Sequence, residues 1–302
     1  MKTHQTINMN NGETNRYQNP PRTETRRKLP SGATGFTEEH PGLIVILVDQ
    51  SASMDERWEG TDTKKCDIAA QSLNEICEEI SFTNRVGTAW KRRVYLVVAG
   101  YTTEADMDTL RLRVLCEGWP SEFGPRWHDH GTAMKNKDEN KPIEAAAYFN
   151  TPLAEAFDKT SELVRKLMVN HPILESSFPP VVINITDGAP DDMKPDKGAM
   201  TGNGEQTRRA AEALKSIETP WGNLVLINLL IDPTQQSETV FFDRKNRLSL
   251  SGQLFFDISS ELPEYLRDKA DRMNIPASEG ARGFSITTSP KMLIKVLRWG
   301  SF

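Results

Sequence analysis

The apolar residues of this chain follow two rhythms. A continuous aliphatic run falls at 43–48, and similar, largely apolar runs recur at 94–99, 181–186, 224–231 and 254–258. Short runs rich in β-branched and aliphatic residues read as strands buried on both faces. Between them, apolar positions recur at helical spacing. Ala69, Leu73, Ile76 and Ile80 share one helix face, Leu153, Phe157, Val164 and Met168 share another, and 208–217, 263–273 and 290–299 read as three more helices. The last two open on Pro263 and Pro290, where a missing N–H costs nothing. Buried strands alternating with amphipathic helices predict an α/β fold: Rossmann-like, doubly wound, with a mainly parallel central sheet flanked by helices.

Two stretches lie outside that rhythm. Residues 1–40 are polar, carry Pro20, Pro21 and Pro30, and show neither period. They are expected to form a mobile tail, with the basic stretch 22–28 solvated. Residues 101–150 are too long for an ordinary connection. A strand near 110–116 followed by an extended loop is expected, and loops of that length inside a domain are functional or disordered. The domain proper is therefore 41–302, with an insertion around 101–150.

Composition narrows the class. The chain has 302 residues, 37 Lys and Arg against 42 Asp and Glu, and a formal charge of −5. That balance disfavours a nucleic-acid binder, which needs a basic face to neutralise phosphates. No apolar run approaches the ~18 residues needed to span a bilayer, and the N-terminus has no hydrophobic core of a secretory signal. Three cysteines without a pairing motif suit free thiols in a reducing compartment. The expected setting is cytoplasmic, with neither nucleic acid nor membrane as partner.

The chemistry gathers at strand ends. The first run closes in Asp49-Gln50-Ser51-Ala52-Ser53-Met54, and a later one in Thr186-Asp187-Gly188-Ala189-Pro190. Open α/β sheets bind ligands at the carboxyl ends of strands, where strand order reverses. The glycine after Asp187 is expected to permit a sharp turn. Asn150-Thr151-Pro152-Leu153 adds a hydroxyl at a loop-to-helix junction. Asp49, Ser51, Ser53, Thr151 and Asp187 thus offer two carboxylates and three hydroxyls, an all-oxygen set that suits Mg²⁺ or Mn²⁺ and not zinc or copper. Any one of these residues could instead cap a helix or close an Asx turn. Five in order point to a metal.

That ordered set resembles the metal-ion-dependent adhesion site of von Willebrand factor type A (vWA) domains, over residues 40–300. In that family the serines ligate directly, and the threonine and aspartates ligate directly or through water according to conformational state. The resemblance assigns those roles to Ser51, Ser53, Thr151, Asp49 and Asp187. It implies that a bound Mg²⁺ bridges to an Asp or Glu of a partner protein, with binding and not catalysis as the function. The segment 293–299 resembles the terminal helix of bacterial intracellular vWA proteins of the tellurite-resistance-associated (TerY-like) type. That likeness implies a signalling, stress-response or defence assembly, with kinase or phosphatase partners.

Other chemistry is thinner. A metal-dependent hydrolase of the phosphoesterase kind could use the same residues. However, Ser51 stands where a dehalogenase-like phosphatase would carry its second aspartate, and neither a phosphate loop nor a nucleophile elbow is present. His128-Asp129-His130 reads as solvated, and Cys66 and Cys77, three turns apart on one helix, read as packing residues. Asp55, Glu56, Asp191 and Asp192 are expected to form an acidic rim that attracts cations. Loops at 190–205 and 118–140 would then select the partner.

Overall fold

The computed structural model describes residues 35–58, 60–106, 108–128, 143–193, 202–232, 239–245, 248–287 and 289–301. Its first aliphatic run forms β1 (Gly42–Asp49), with all eight residues buried. There follow α1 (Lys65–Thr83), β2 (Val94–Thr103), β3 (Leu110–Gly118), α2 (Leu153–Asn170), β4 (Val181–Thr186), α3 (Glu205–Lys215) and β5 (Val225–Ile231). The chain finishes with β6 (Thr239–Val240), α4 (Leu250–Ile258), α5 (Glu264–Arg272), β7 (Phe284–Thr287) and α6 (Pro290–Ser301). The strands make one seven-stranded sheet in the order β6-β7-β5-β4-β1-β2-β3. Five neighbours, β7 to β2, run parallel, and β6 and β3 close the two edges antiparallel.

Alternation along each strand divides the core. Ile44, Ile46 and Val48 face one layer with α1, α5 and α6. Leu43, Val45 and Leu47 face the other with α2, α3 and α4. Period-2 side chains on a sheet covered on both faces explain why these strands read as continuous apolar runs. The predicted helix faces are the buried ones: Ala69, Leu73, Ile76 and Ile80 on α1, and Leu153, Phe157, Val164 and Met168 on α2. The fold is therefore α/β, doubly wound and mainly parallel. No helix among the described residues is long and apolar enough to cross a membrane.

The expected strand at 254–258 is instead helix α4. A short apolar run is equally compatible with a segment of a buried helix face. Ser249 decides the matter, since its hydroxyl accepts the Gly252 N–H at 3.1 Å and caps the helix. The fifth parallel strand is β7, only four residues long. Gly283 leads into it because a Cβ there would lie 3.0 Å from Ile227 Cγ1 and 3.1 Å from the Leu226 carbonyl oxygen. A side chain there would be tight against β5, which favours glycine.

Much of the 101–150 stretch is regular. β2 continues to Thr103, β3 pairs with it antiparallel, and helical turns follow at Pro120–Phe123 and Pro125–His128. Residues 129–142 lie outside the described residues, as do residues 1–34 of the expected tail, so Asp129 and His130 are not placed. Cys66, Cys77 and Cys116 are buried free thiols, in keeping with a packing role for the first two. Burial, with Cys116 beside it, pushes the Cys77 thiol well up.

Beneath the carboxyl ends of the strands runs a buried polar chain. The Tyr101 hydroxyl donates to Asn184 Oδ1 at 3.0 Å, and Asn184 Nδ2 to Asn228 Oδ1 at 3.1 Å. Asn228 Nδ2 then donates to Ser259 Oγ at 2.9 Å. Every member is satisfied, so the chain ties β2, β4 and β5 without an orphaned group. Asn184→Leu would remove an acceptor from the Tyr101 hydroxyl and the donor to Asn228 Oδ1. We expect it to lower stability by roughly 1–3 kcal/mol in urea unfolding, and an unchanged midpoint would show the chain to be dispensable.

Candidate metal centre

The site arises from topology. β1 leads through α1, on one face, to β2, and β4 is reached through α2 on the other face. Strand order therefore reverses between β1 and β4, and the two connections part there to leave a crevice at the carboxyl ends. Asp49 ends β1 and Asp187 directly follows β4. The register pairs Val48 with Ile185, which sets Asp49 beside Thr186 on one side, while Tyr101 of β2 is its partner on the other.

Four of the five predicted residues join one hydrogen-bonded cluster. Asp49 Oδ1 accepts the Ser51 N–H at 2.7 Å, and Asp49 Oδ2 accepts the Thr186 hydroxyl at 2.6 Å. Ser51 Oγ and Ser53 Oγ are 3.1 Å apart, and Ser53 Oγ donates to Asp187 Oδ1 at 2.7 Å. Ser51 makes no side-chain cap to the 3₁₀ turn Ala52–Asp55 that it precedes. Asp49 does close an Asx-type turn, as its type allows. Thr151 is buried at 2% exposure. It is not the cap of α2, a position that Pro152 takes. Its main-chain N–H and carbonyl bind Asp191, at 3.0 Å to Oδ1 and 3.1 Å from the N–H, so it is tied to the loop that follows Asp187.

The residues around the cluster have local partners of their own. Gly188 does not take a left-handed conformation. A Cβ there would meet only Ser53 Oγ, at 4.0 Å. Gly188 lies in the bend that follows β4, as expected, and the space beside it toward the serines is open. The acidic rim is also largely committed to local bonds. Asp55 pairs with Lys64 at 2.7 Å, Asp191 binds Thr151, and Asp192 caps α3 through the Thr207 N–H and hydroxyl at 3.0 and 2.7 Å. The loop that closes over the site is fastened as well: the Ala52 N–H reaches the Phe149 carbonyl, and the Tyr148 N–H reaches that of Gln50.

Sequence reading missed two participants. Thr186 was visible only as the neighbour of Asp187, and its bond to Asp49 depends on cross-strand register. Lys65, the first residue of α1, has a side chain only 9% exposed, and its Nζ lies 2.7 Å from both Asp187 Oδ2 and Glu56 Oε2. Burial alone would lower the Lys65 ammonium, but the hydrogen bonds to Asp187 and Glu56 outweigh it and hold the group above its ordinary value. A lysine before a helix carries no sequence signal of such a role.

The donor set fits a hard divalent cation. Asp49 Oδ1, Ser51 Oγ, Ser53 Oγ and Asp187 Oδ1 are all oxygen; Ser53 Oγ links the other serine to Asp187, and Asp49 Oδ1 joins them through the Ser51 N–H. Among the described residues, no group of three or more His, Cys, Asp and Glu side chains is placed to share an ion, so any ion held here must draw on the hydroxyls. A cleft of about 400 Å³ opens beside the cluster, lined by Glu56, Lys65, Asp187, Gly188, Asp232 and Ser249.

Burial, and then the charge of Asp187, push the Asp49 carboxyl up to about 7, against the lowering effect of the Thr186 and Ser51 hydrogen bonds. The unfolded chain releases this proton near the ordinary carboxylate value of 3.8, whereas the folded, metal-free protein keeps it. Asp49 therefore favours the fold at low pH, and that contribution is lost as pH rises through about 4 to 7. Thermal melts in EDTA should show stability falling across that range, and Asp49→Asn should flatten the fall. Equal slopes for the two proteins would refute the assignment.

No protein-family model matches the chain, and no curated relative matches it. Solved structures do resemble it in fold. The SpaC pilus adhesin of Lactobacillus rhamnosus GG aligns over 87% of this chain at 12% identity and a TM-score of 0.49, and this chain spans 30% of its length. The manganese-loaded TRAP protein of Plasmodium vivax aligns over 86% of this chain and 74% of its own, at 13% identity and a TM-score of 0.40. The PilB minor pilin of Streptococcus sanguinis aligns over 86% and 60%, at 12% identity and a TM-score of 0.42.

Proposed function

We propose that this chain is a vWA-type protein-interaction module whose contact with its partner depends on a divalent metal. The reading rests on one observation: Asp49, Ser51, Ser53 and Asp187, 138 positions apart at their extremes, form a single oxygen-only cluster at the switch point of the sheet. Asp49, Ser51, Ser53 and Asp187 would hold Mg²⁺ or Mn²⁺, with Thr151 joining directly or through water.

When bound, such an ion supplies a coordination position that a carboxylate from another protein can take in place of water. The chain's own residues do the rest. Thr186 and the Ser51 N–H fix the two oxygens of Asp49, and Ser53 fixes one oxygen of Asp187. The ligands are thus oriented before any ion arrives. Gly188 leaves the approach uncrowded, and the neighbouring cleft has room for an Asp or Glu side chain. Tyr148 and Phe149, which precede Thr151, are half-exposed at 48% and 36%. Exposed aromatic side chains beside such a site suit contact with a partner's surface. Binding, and not turnover, is the function proposed.

At its finest grain the reading is of the bacterial tellurite-resistance-associated type, acting in a signalling, stress-response or defence assembly beside a kinase or phosphatase. Only the segment 293–299 supports that part.

Calorimetric titration with Mg²⁺ tests the core of the proposal. The wild-type chain should bind with a measurable heat that Ser51→Ala weakens and Asp187→Ala abolishes. Capture of a partner on the immobilised wild-type chain should be lost in EDTA and with Asp187→Ala. Equal heats for wild type and Asp187→Ala would sink the metal reading.

A further inference from the structure

Lys65 occupies a position that is unfavourable twice over. As the first residue of α1 it places a cation where the helix dipole favours an anion. Its side chain is also nearly buried, which costs an ammonium its hydration. Lys64, just before it, avoids the second cost by pairing with Asp55 in solvent. Lys65 is instead held inward. Its N–H donates to the Glu56 carbonyl at 3.0 Å, and its Nζ donates to Glu56 Oε2 and Asp187 Oδ2, both at 2.7 Å. The antiparallel bridge between Arg57 and Lys64 fastens the same loop. An apolar side chain of similar length would escape both penalties, so the charge itself is what the position uses.

The two oxygens of Asp187 are divided. Oδ1 faces the hydroxyl cluster through Ser53, and Oδ2 faces the ammonium. Two carboxylates crowd this crevice, and Lys65 is a cation that the described residues bring into contact with one of them, Asp187. We propose that Lys65 is the resident counter-cation of Asp187, a tethered charge that stabilises the metal-free site and holds down its affinity for divalent ions, so that occupancy is readily reversed. This rests on the metal reading above and deepens it. A divalent ion that reaches Asp187 Oδ1 meets a site already carrying one fixed positive charge on the other oxygen. Its binding is weaker by the repulsion between them, which Glu56, exposed to solvent, offsets only in part.

The test is calorimetric titration of the full chain with Mg²⁺ and with Mn²⁺, beside thermal melts in EDTA and in excess Mg²⁺. Lys65→Met should bind both ions about tenfold tighter or more than wild type, while Lys65→Arg, which keeps the charge, stays within about twofold. In EDTA the Lys65→Met variant should melt below wild type, and its gain on adding Mg²⁺ should exceed that of wild type. Lys65→Gln keeps a donor for Asp187 and replaces the methionine variant if that one does not fold. Its binding should tighten in the same direction.

If the neutral variants fold and bind metal no tighter than wild type, Lys65 only orients Asp187 and the proposal is overturned. Failure of both to fold overturns it equally, because it assigns Lys65 to the scaffold. If wild type binds metal and Asp187→Ala does not, such a result leaves the metal reading standing. Silence from wild type and every variant brings both down.

Discussion

Two carboxylates that share a water-poor crevice cannot both carry charge without something positive beside them, and the carboxyl edge of this sheet is arranged around that constraint. Asp49 is 1% exposed and the side chain of Asp187 equally so. Each carboxylate is met by donors on both oxygens: the Ser51 N–H and Thr186 for Asp49, Ser53 and Lys65 for Asp187. Hydrogen bonds of this kind offset desolvation without cancelling it. The remaining imbalance shows in Asp49, which holds its proton well above the ordinary carboxylate range. A buried group left imbalanced in the metal-free protein is suited to receive a cation.

The rest of the fold serves to keep those groups at one place. Five parallel strands, sealed by helices on both faces, hold β1 and β4 side by side in a register that long aliphatic side chains make hard to slip. The chain from Tyr101 through Asn184 and Asn228 to Ser259 fixes the layer beneath, because polar groups buried among Leu and Ile accept few alternative arrangements. The loops above are tied by main-chain bonds, Ala52 to Phe149 and Asp191 to Thr151. The serines, Thr151 and the segment after Asp187 are therefore connected through backbone as well as through side chains.

Legibility in the sequence followed the range of the interactions. β1, β2, β4 and β5 were readable because both faces of each are covered, which leaves an aliphatic run. α1 and α2 were readable because one face of each is covered, which leaves a period. α4 was mistaken for a strand because four of the five residues at 254–258 are buried, and so short an apolar run shows no helical period. β7 escaped notice because four residues are too few to show one. Within the site, Asp49, Ser51 and Ser53 are close in sequence and stood out as a group. Asp187 joined them through its like position at a strand end. Thr186 and Lys65 did not stand out, since each gains its role only from a residue more than a hundred positions away.

The sequence alone determined the layered α/β architecture and the strand ends at which an oxygen-rich set of side chains gathers. These follow from the local period of side chains and from the kinds of atoms they carry. Only the tertiary structure decided which acids face the crevice and which are spent on local bonds. Asp55, Asp191 and Asp192 read as an acidic rim, and it is the fold that ties them to Lys64, Thr151 and Thr207. Likewise only the fold could set an ammonium against Asp187. Coulomb energy depends on distance and burial, and neither is written in the order of residues.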